Sequence, residues 1–233
     1  VCDIRHSRAC HRKLFVTPTS FHLHTMGKEK RKQPKRKDII GLDPINDVLI
    51  FMHIPKTGGT TLRVIIEKYY ELSQVYRNYD YLGARKGQKS EKTCFIDGHD
   101  YFGIHHDLNK RPVYVTMLRN PVDRIISEYY YIVKEPGRDR YISNKIKNNN
   151  LSLEDYVFLE DEKFHFRTRN MQTRFAAGGT INLEKAKENL TNYFAVVGIT
   201  EMFDQSLHLM QKEFGWKDTG YQKKLVQHNR PKK

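Results

Sequence analysis

Lys56, Thr57, Gly58, Gly59, Thr60 and Thr61 form one unbroken run inside HIPKTGGTTL, residues 53–62. One cation, three hydroxyls and two glycines in six residues suit an oxyanion. The glycines let the backbone turn tightly, so that its N–H groups face inward. Lys56 supplies a full positive charge, and the threonines supply further donors. The run lies between the apolar stretch DVLIFM and the helical pattern RVIIEKYY. A helix that begins there adds the partial positive charge of its N-terminus. A phosphate or sulfate group is the ligand such a turn favours. An ordinary strand–helix glycine turn is the bland alternative, and two adjacent glycines by themselves would favour it.

The usual nucleotide loop has the spelling GxxxxGK[ST], with its lysine after the glycines and a hydroxyl on magnesium. Here Lys56 precedes the glycines. The next buried strand, VTML, runs into Arg119 rather than a carboxylate. The pattern therefore points to phosphate binding with no metal required.

The elements that must position this loop follow from hydrophobic patterning. DVLIFMHI (47–54) is a continuous apolar strand. TTLRVIIEKYY (60–70) places Leu62, Ile65, Ile66 and Tyr69 at helical spacing. TCFIDG reads as a short strand and PVYVTML (112–118) as a buried one. NPVDRIISEYYYIVK (120–134) opens a helix, with Asn120 as N-cap and Pro121 in the first turn. QVYRNYDYLGARKGQKSEK reads as polar loop or weak structure, and residues 136–150 as a polar connection. SLEDYVFLE, FRTRNMQTRFAAGG and NLEKAKENLTNY read as three helices. YFAVVGI (193–199) is a strand, and EMFDQSLHLMQKEFGW is a helix. Strands that alternate with helices, and are apolar throughout, predict a P-loop-like, three-layer α/β fold: a central, mostly parallel sheet flanked by helices.

The chain has 233 residues, enough for one sizeable core. Its net charge is +14, and residues 1–40 hold 11 Lys+Arg against 3 Asp+Glu. GKEKRKQPKRKD (27–38) reads as a solvated basic tail, with a nuclear-import or nucleic-acid arm as the alternative. The first 25 residues read as an extension upstream of Met26. The expected division is thus a basic extension over 1–40 and a folded domain over 41–233. The body is still basic, which suits an anionic ligand. Cys2, Cys10 and Cys94 have no metal spacing and fit a reduced compartment. No apolar run reaches the ~20 residues of a membrane span, and the N-terminus shows no signal-peptide core.

HIPKTGGTTL resembles the 5′-phosphosulfate loop of sulfotransferases that use 3′-phosphoadenosine 5′-phosphosulfate. The likeness is strongest to the branch holding the heparan sulfate 2-O- and 6-O-sulfotransferases and their bacterial relatives, and it runs from about residue 47 to the C-terminus. The resemblance implies sulfuryl transfer to a hydroxyl of an acceptor, a carbohydrate or another hydroxyl-bearing molecule, with nucleic acid not favoured. It implies that Lys56, Thr57, Gly58, Gly59, Thr60 and Thr61 hold the donor's phosphosulfate end. In the family, an arginine at a strand end and a serine eight residues on bind the 3′-phosphate; Arg119 and Ser127 in MLRNPVDRIISEYYY match that spacing. Arg124 is more simply an i,i+4 partner of Glu128.

A Gly-His pair supplies the catalytic base in this branch, and His99 in FIDGHDYFG matches it. Lys56 would stabilise charge on the leaving bisphosphate. Asp97 or Asp100 could orient the His99 ring or replace it, and His105 and His106 compete with it. Gln172, Thr173 and Arg174 are candidates for substrate or donor contacts, and one of Tyr129, Tyr130 and Tyr131 for a sugar contact. Arg85, Lys86, Lys89, Arg138, Arg140, Lys145 and Lys147 read as acceptor-groove or solvated charges. Asn229 and Arg230 fall in KKLVQHNRPKK, which resembles the start of the loop closing over the 3′-phosphate. Relatives continue into another helix where this chain stops, which leaves truncation open. The resemblance implies a cytoplasmic place if the protein is bacterial-like, and a Golgi-associated one if it follows eukaryotic relatives. The sequons at Asn150 and Asn189 read as chance. A P-loop-type kinase or hydrolase, and a basic polyanion-binding module, are the competing functions.

Overall fold

The computed structural model describes residues 41–79, 84–86, 91–137, 139–217 and 220. Six strands form one sheet in the order β3-β2-β4-β1-β5-β6. They are β1 (Asp47–Met52), β2 (Val75–Tyr79), β3 (Ala84–Lys86), β4 (Phe95–Gly98), β5 (Arg111–Leu118) and β6 (Phe194–Ile199). The strands β2, β4, β1, β5 and β6 pair in parallel, and β3 closes the β2 edge antiparallel. All six residues of β1 are buried, because a central parallel strand is covered on both faces.

Two helical layers cover the sheet. On one face, α1 (Gly59–Glu67) and α8 (Phe203–Phe214) bring Leu62, Ile65, Leu207 and Met210 against Leu49, Phe51, Val113 and Val115. On the other, α6 (Met171–Ala176) and α7 (Leu183–Tyr193) bring Met171, Phe175 and Ala186 against Val48, Ile50 and Tyr114. Alternate residues of one strand feed the two cores, as the two-residue period of a strand requires. A third cluster joins α2 (Pro121–Lys134) to α3 (Arg140–Asn148), α4 (Leu153–Phe158) and α5 (Glu162–Thr168) through Ile132, Ile142, Ile146, Tyr156 and Phe164. The expected three-layer α/β architecture is the one observed.

The helix starts follow side-chain chemistry. Asn120 caps α2 by accepting from the N–H groups of Val122 at 3.0 Å and Asp123 at 3.2 Å. Ser152 and Asp155 close a reciprocal capping box on α4.

Three local expectations are corrected. Residues expected as loop form β2 and β3, because β4 offers a parallel partner that no local pattern announces. The polar connection at 136–150 contains α3, whose buried apolar pair, Ile142 and Ile146, is one turn apart among charged residues. FRTRNMQTRFAAGG is not one helix: Asn170 at φ 52 separates α5 from α6. The basic tail, Lys89, Arg138, Asn229 and Arg230 lie outside the described residues. Among the described residues, no helix is long and apolar enough to cross a membrane.

Candidate active site

Parallel pairing sends the loops after β4, β1, β5 and β6 out of one sheet edge. Met52 at the end of β1 aligns with Gly98 on one side and Thr116 on the other, and Leu118 aligns with Ile199. The phosphate-type loop, His99 and Arg119 therefore meet at that edge although they lie far apart along the chain.

The β1–α1 loop is braced from within. The Thr57 hydroxyl donates to the Ile54 carbonyl at 2.9 Å, and Thr57 is fully buried. Its side chain thus shapes the turn from inside. Lys56 adopts φ 70 and Gly58 φ 81. A non-glycine residue in the left-handed region is held there by its surroundings, a form of strain that concentrates at functional sites. Gly58 is the N-cap of α1, yet no side chain among the described residues caps this helix, and its first turn has no acidic residue. First-turn N–H groups lack the usual acceptor four residues back; here the Thr61 N–H turns to the Gly58 carbonyl at 3.1 Å. Gly59, Thr60 and Thr61 present that turn at the sheet edge.

Arg119 is fixed from two sides. Its backbone N–H donates to the Gln172 side-chain oxygen at 2.8 Å, and its carbonyl accepts from the Gln172 amide nitrogen at 2.8 Å. Its guanidinium Nη1 then donates to the Lys56 carbonyl at 3.0 Å. The Thr200 hydroxyl lies 2.7 Å from the Thr57 carbonyl and 2.9 Å from the Leu118 carbonyl, so it pins the β1 loop to the end of β5. The Lys56 ammonium sits 3.6 Å from the ring centroid of Tyr131, at cation–π distance. Ser127 is buried on α2, one turn before Tyr131 and on the same face. Lys56, Arg119 and the α2 face bearing Ser127 thus border one loop.

His99 follows β4. Its N–H donates to the Asn78 carbonyl at 2.9 Å, and its ring stacks on His53 with centroids 4.7 Å apart. Its basicity is lowered well below the ordinary histidine value. Burial of the ring is the largest cause, followed by the charges of His53, Arg167 and Arg63; a hydrogen bond to the His53 backbone offsets part of this. Such an imidazole is neutral near pH 7.

The two carboxylates named as partners for His99 each have a further contact. Asp97 faces His53, Oδ1 to Nδ1 at 3.5 Å, and Asp100 accepts from the Asn78 amide at 2.5 Å. His105 is buried against the Tyr114 hydroxyl at 2.7 Å, and His106 is exposed.

Other candidates resolve into structure. Arg124 pairs with Glu128 at 2.5 Å, Glu128 also holds Arg167 at 2.6 Å, and Arg167 reaches Asp139 at 2.6 Å. Lys145 is paired with Asp161, Arg174 lies over the Phe166 ring, and the Tyr129 hydroxyl donates to the Leu151 carbonyl. Asn189 is buried with its amide on the Ala176 carbonyl. His53 and Thr200 carry no motif that singles them out. His53 opens the same string but brings no phosphate-type chemistry, and Thr200 is one threonine at a strand end with no local signal.

A helix start without a side-chain cap, a cation, a fixed guanidinium and an imidazole lie on one edge of a parallel α/β sheet, an arrangement of groups that suits an anion. The chain belongs to the sulfotransferase family, whose model matches residues 44–225. Heparan sulfate 2-O-sulfotransferase 1 of Xenopus laevis is 24% identical over 200 residues, covering 74% of this chain and 56% of that protein. Heparin sulfate O-sulfotransferase of Drosophila melanogaster is 23% identical over 196 residues, covering 71% and 55%. Protein-tyrosine sulfotransferase of Arabidopsis thaliana is 31% identical over 97 residues, covering 40% and 19%. The chain therefore spans little more than half the length of the first two and a smaller part of the third. The crystal structure of a sulfotransferase from Alicyclobacillus acidocaldarius aligns at TM-score 0.46 and 15% identity, covering 81% of this chain and 87% of that one.

Proposed function

We propose that this protein moves a sulfuryl group from 3′-phosphoadenosine 5′-phosphosulfate to a hydroxyl of a carbohydrate acceptor. The observation that carries this is the bond from the Arg119 guanidinium to the Lys56 carbonyl, which joins a strand-end arginine to an uncapped, lysine-bearing phosphate loop. The heparan-type relatives support the carbohydrate acceptor.

In this scheme Lys56, the hydroxyls of Thr60 and Thr61 and the N–H groups of Gly58, Gly59 and Thr60 hold the 5′-phosphosulfate. Arg119 and Ser127 hold the 3′-phosphate, where a guanidinium and a hydroxyl suit a phosphate. His99 takes the acceptor's hydroxyl proton. The acceptor oxygen forms a bond to sulfur as the bond from sulfur to the bridging oxygen breaks. The electron pair of that bond remains on the departing 5′-phosphate, where Lys56 stabilises it. Catalysis of this kind is positioning and electrostatics.

The test is calorimetric binding of 3′-phosphoadenosine 5′-phosphate, compared with ATP–magnesium, to wild type, Lys56→Ala and Arg119→Ala. Binding of the bisphosphate alone, weakened by both substitutions, is expected. A preference for ATP–magnesium would overturn sulfuryl transfer in favour of nucleotide chemistry.

A further inference from the structure

His53 sits where the donor loop and the candidate base touch. Its ring is buried, with 6% exposure. Phe51 stacks on it at 5.1 Å and 12°, and His99 at 4.7 Å and 26°. Asp97, itself fully buried, lies 3.5 Å from Nδ1. The fourth wall is the first residue of α1. A Cβ on Gly59 would fall 2.1 Å from His53 Cδ2 and 2.2 Å from Nε2. Gly59 has no positive φ that would demand glycine. It is glycine because the imidazole occupies the place of its side chain.

We propose that His53 is a positioning residue, holding the ring of His99 in register with the phosphate-binding turn. This rests on the assignment of His99 as the base. A ring stacked at this distance limits how far its neighbour can move. The imidazole is therefore a rigid spacer between Gly59, which begins the donor-binding helix turn, and His99, which meets the acceptor. Asp97 sets the spacer's rotation from the Nδ1 side. Groups that face it include Phe51 from β1, Asp97 from β4, His99 from the turn after β4 and Gly59 from α1. The charges acting on His99 come from His53 itself, from Arg167 on α5 and from Arg63 on α1.

Three readings on the full chain test this: bisphosphate affinity, turnover with the sulfated donor, and the titration of the His99 ring followed by NMR. His53→Ser is expected to lower turnover on the order of 100-fold, the scale on which a small misplacement of a catalytic group is felt. Bisphosphate affinity is expected to change by less than about threefold, since the binding groups remain. The His99 midpoint is expected to rise towards the ordinary histidine value, because solvent enters where the His53 ring stood. His53→Gln keeps a planar donor towards Asp97 and is expected to recover part of the turnover; it also serves if the serine variant does not fold.

A His53 that merely supports the fold would lower the unfolding midpoint and leave the turnover of the folded protein unchanged at a temperature below that midpoint, and that result overturns the proposal. So does serine-variant turnover close to wild type. If wild type itself binds no bisphosphate, the sulfotransfer reading falls, while the ring titration still decides whether His53 governs His99.

Discussion

Replacing Gln172 with methionine keeps the length of the side chain and removes its amide. In the native protein that amide closes two 2.8 Å hydrogen bonds onto the backbone of Arg119, one in each direction. Each such bond is worth about 0.5–1.5 kcal/mol net, so the pair contributes about 1–3 kcal/mol to the placement of Arg119. At about 1.4 kcal/mol per decade, that converts to a loss of roughly 5- to 140-fold in affinity if the bound state needs Arg119 where it is. The effect reaches the loop as well, because the same arginine holds the Lys56 carbonyl. The assay is calorimetry with 3′-phosphoadenosine 5′-phosphate on wild type, Gln172→Met, Arg119→Ala and the double variant. Gln172→Met should weaken binding within that range. In the Arg119→Ala background it should add little, since Gln172 acts through the residue already removed. Unchanged affinity in Gln172→Met, or full additivity in the double variant, would refute the reasoning and leave Gln172 as a fold-stabilising residue alone.

Two further outcomes concern stability. Glu128, 1% exposed, places one carboxylate between Arg124 and Arg167, so Glu128→Gln should cost about 3–5 kcal/mol in denaturant unfolding; an unchanged midpoint would show that the two arginines find other partners. His105 titrates at about 4, chiefly because burial disfavours its charged form and secondarily because of His106. The unfolded chain binds this proton below about pH 6.5 and the native chain only near 4, so this residue's contribution is full above 6.5 and is lost as pH falls towards 4. Replacing His105 with Gln should flatten the stability profile across that window by about 1–3 kcal/mol, read from urea midpoints at about pH 7.0, 5.5 and 4.5.

Parts of this site are legible in residue chemistry alone. Lysine, glycines and threonines between a buried strand and a helix announce an anion site, since each property resides in the local chain. The strand–helix alternation is equally local, because continuous apolar runs and 3.6-residue spacing are visible in a short window. Asn120 announces its cap for the same reason. The strand β2 does not announce itself: VYRNY becomes a strand because β4 pairs with it. Helix α3 is hidden because two isoleucines make a weak stripe.

What the sequence determined by itself is the chemical inventory: a phosphate-type turn, an arginine at a strand end and several histidines within reach of a sheet edge. Only the tertiary structure decided which of these meet, and in what state. Arg119 gains its partner Lys56 across 63 residues of chain, and Gln172 finds Arg119 across 53. Among four neighbouring histidines, His105 is given to the core, His106 to solvent, His53 to the space beside Gly59, and His99 to the sheet edge as a neutral ring. A side chain's type is a property of one position. Its burial, its partners and its affinity for a proton depend on groups that chain folding brings beside it.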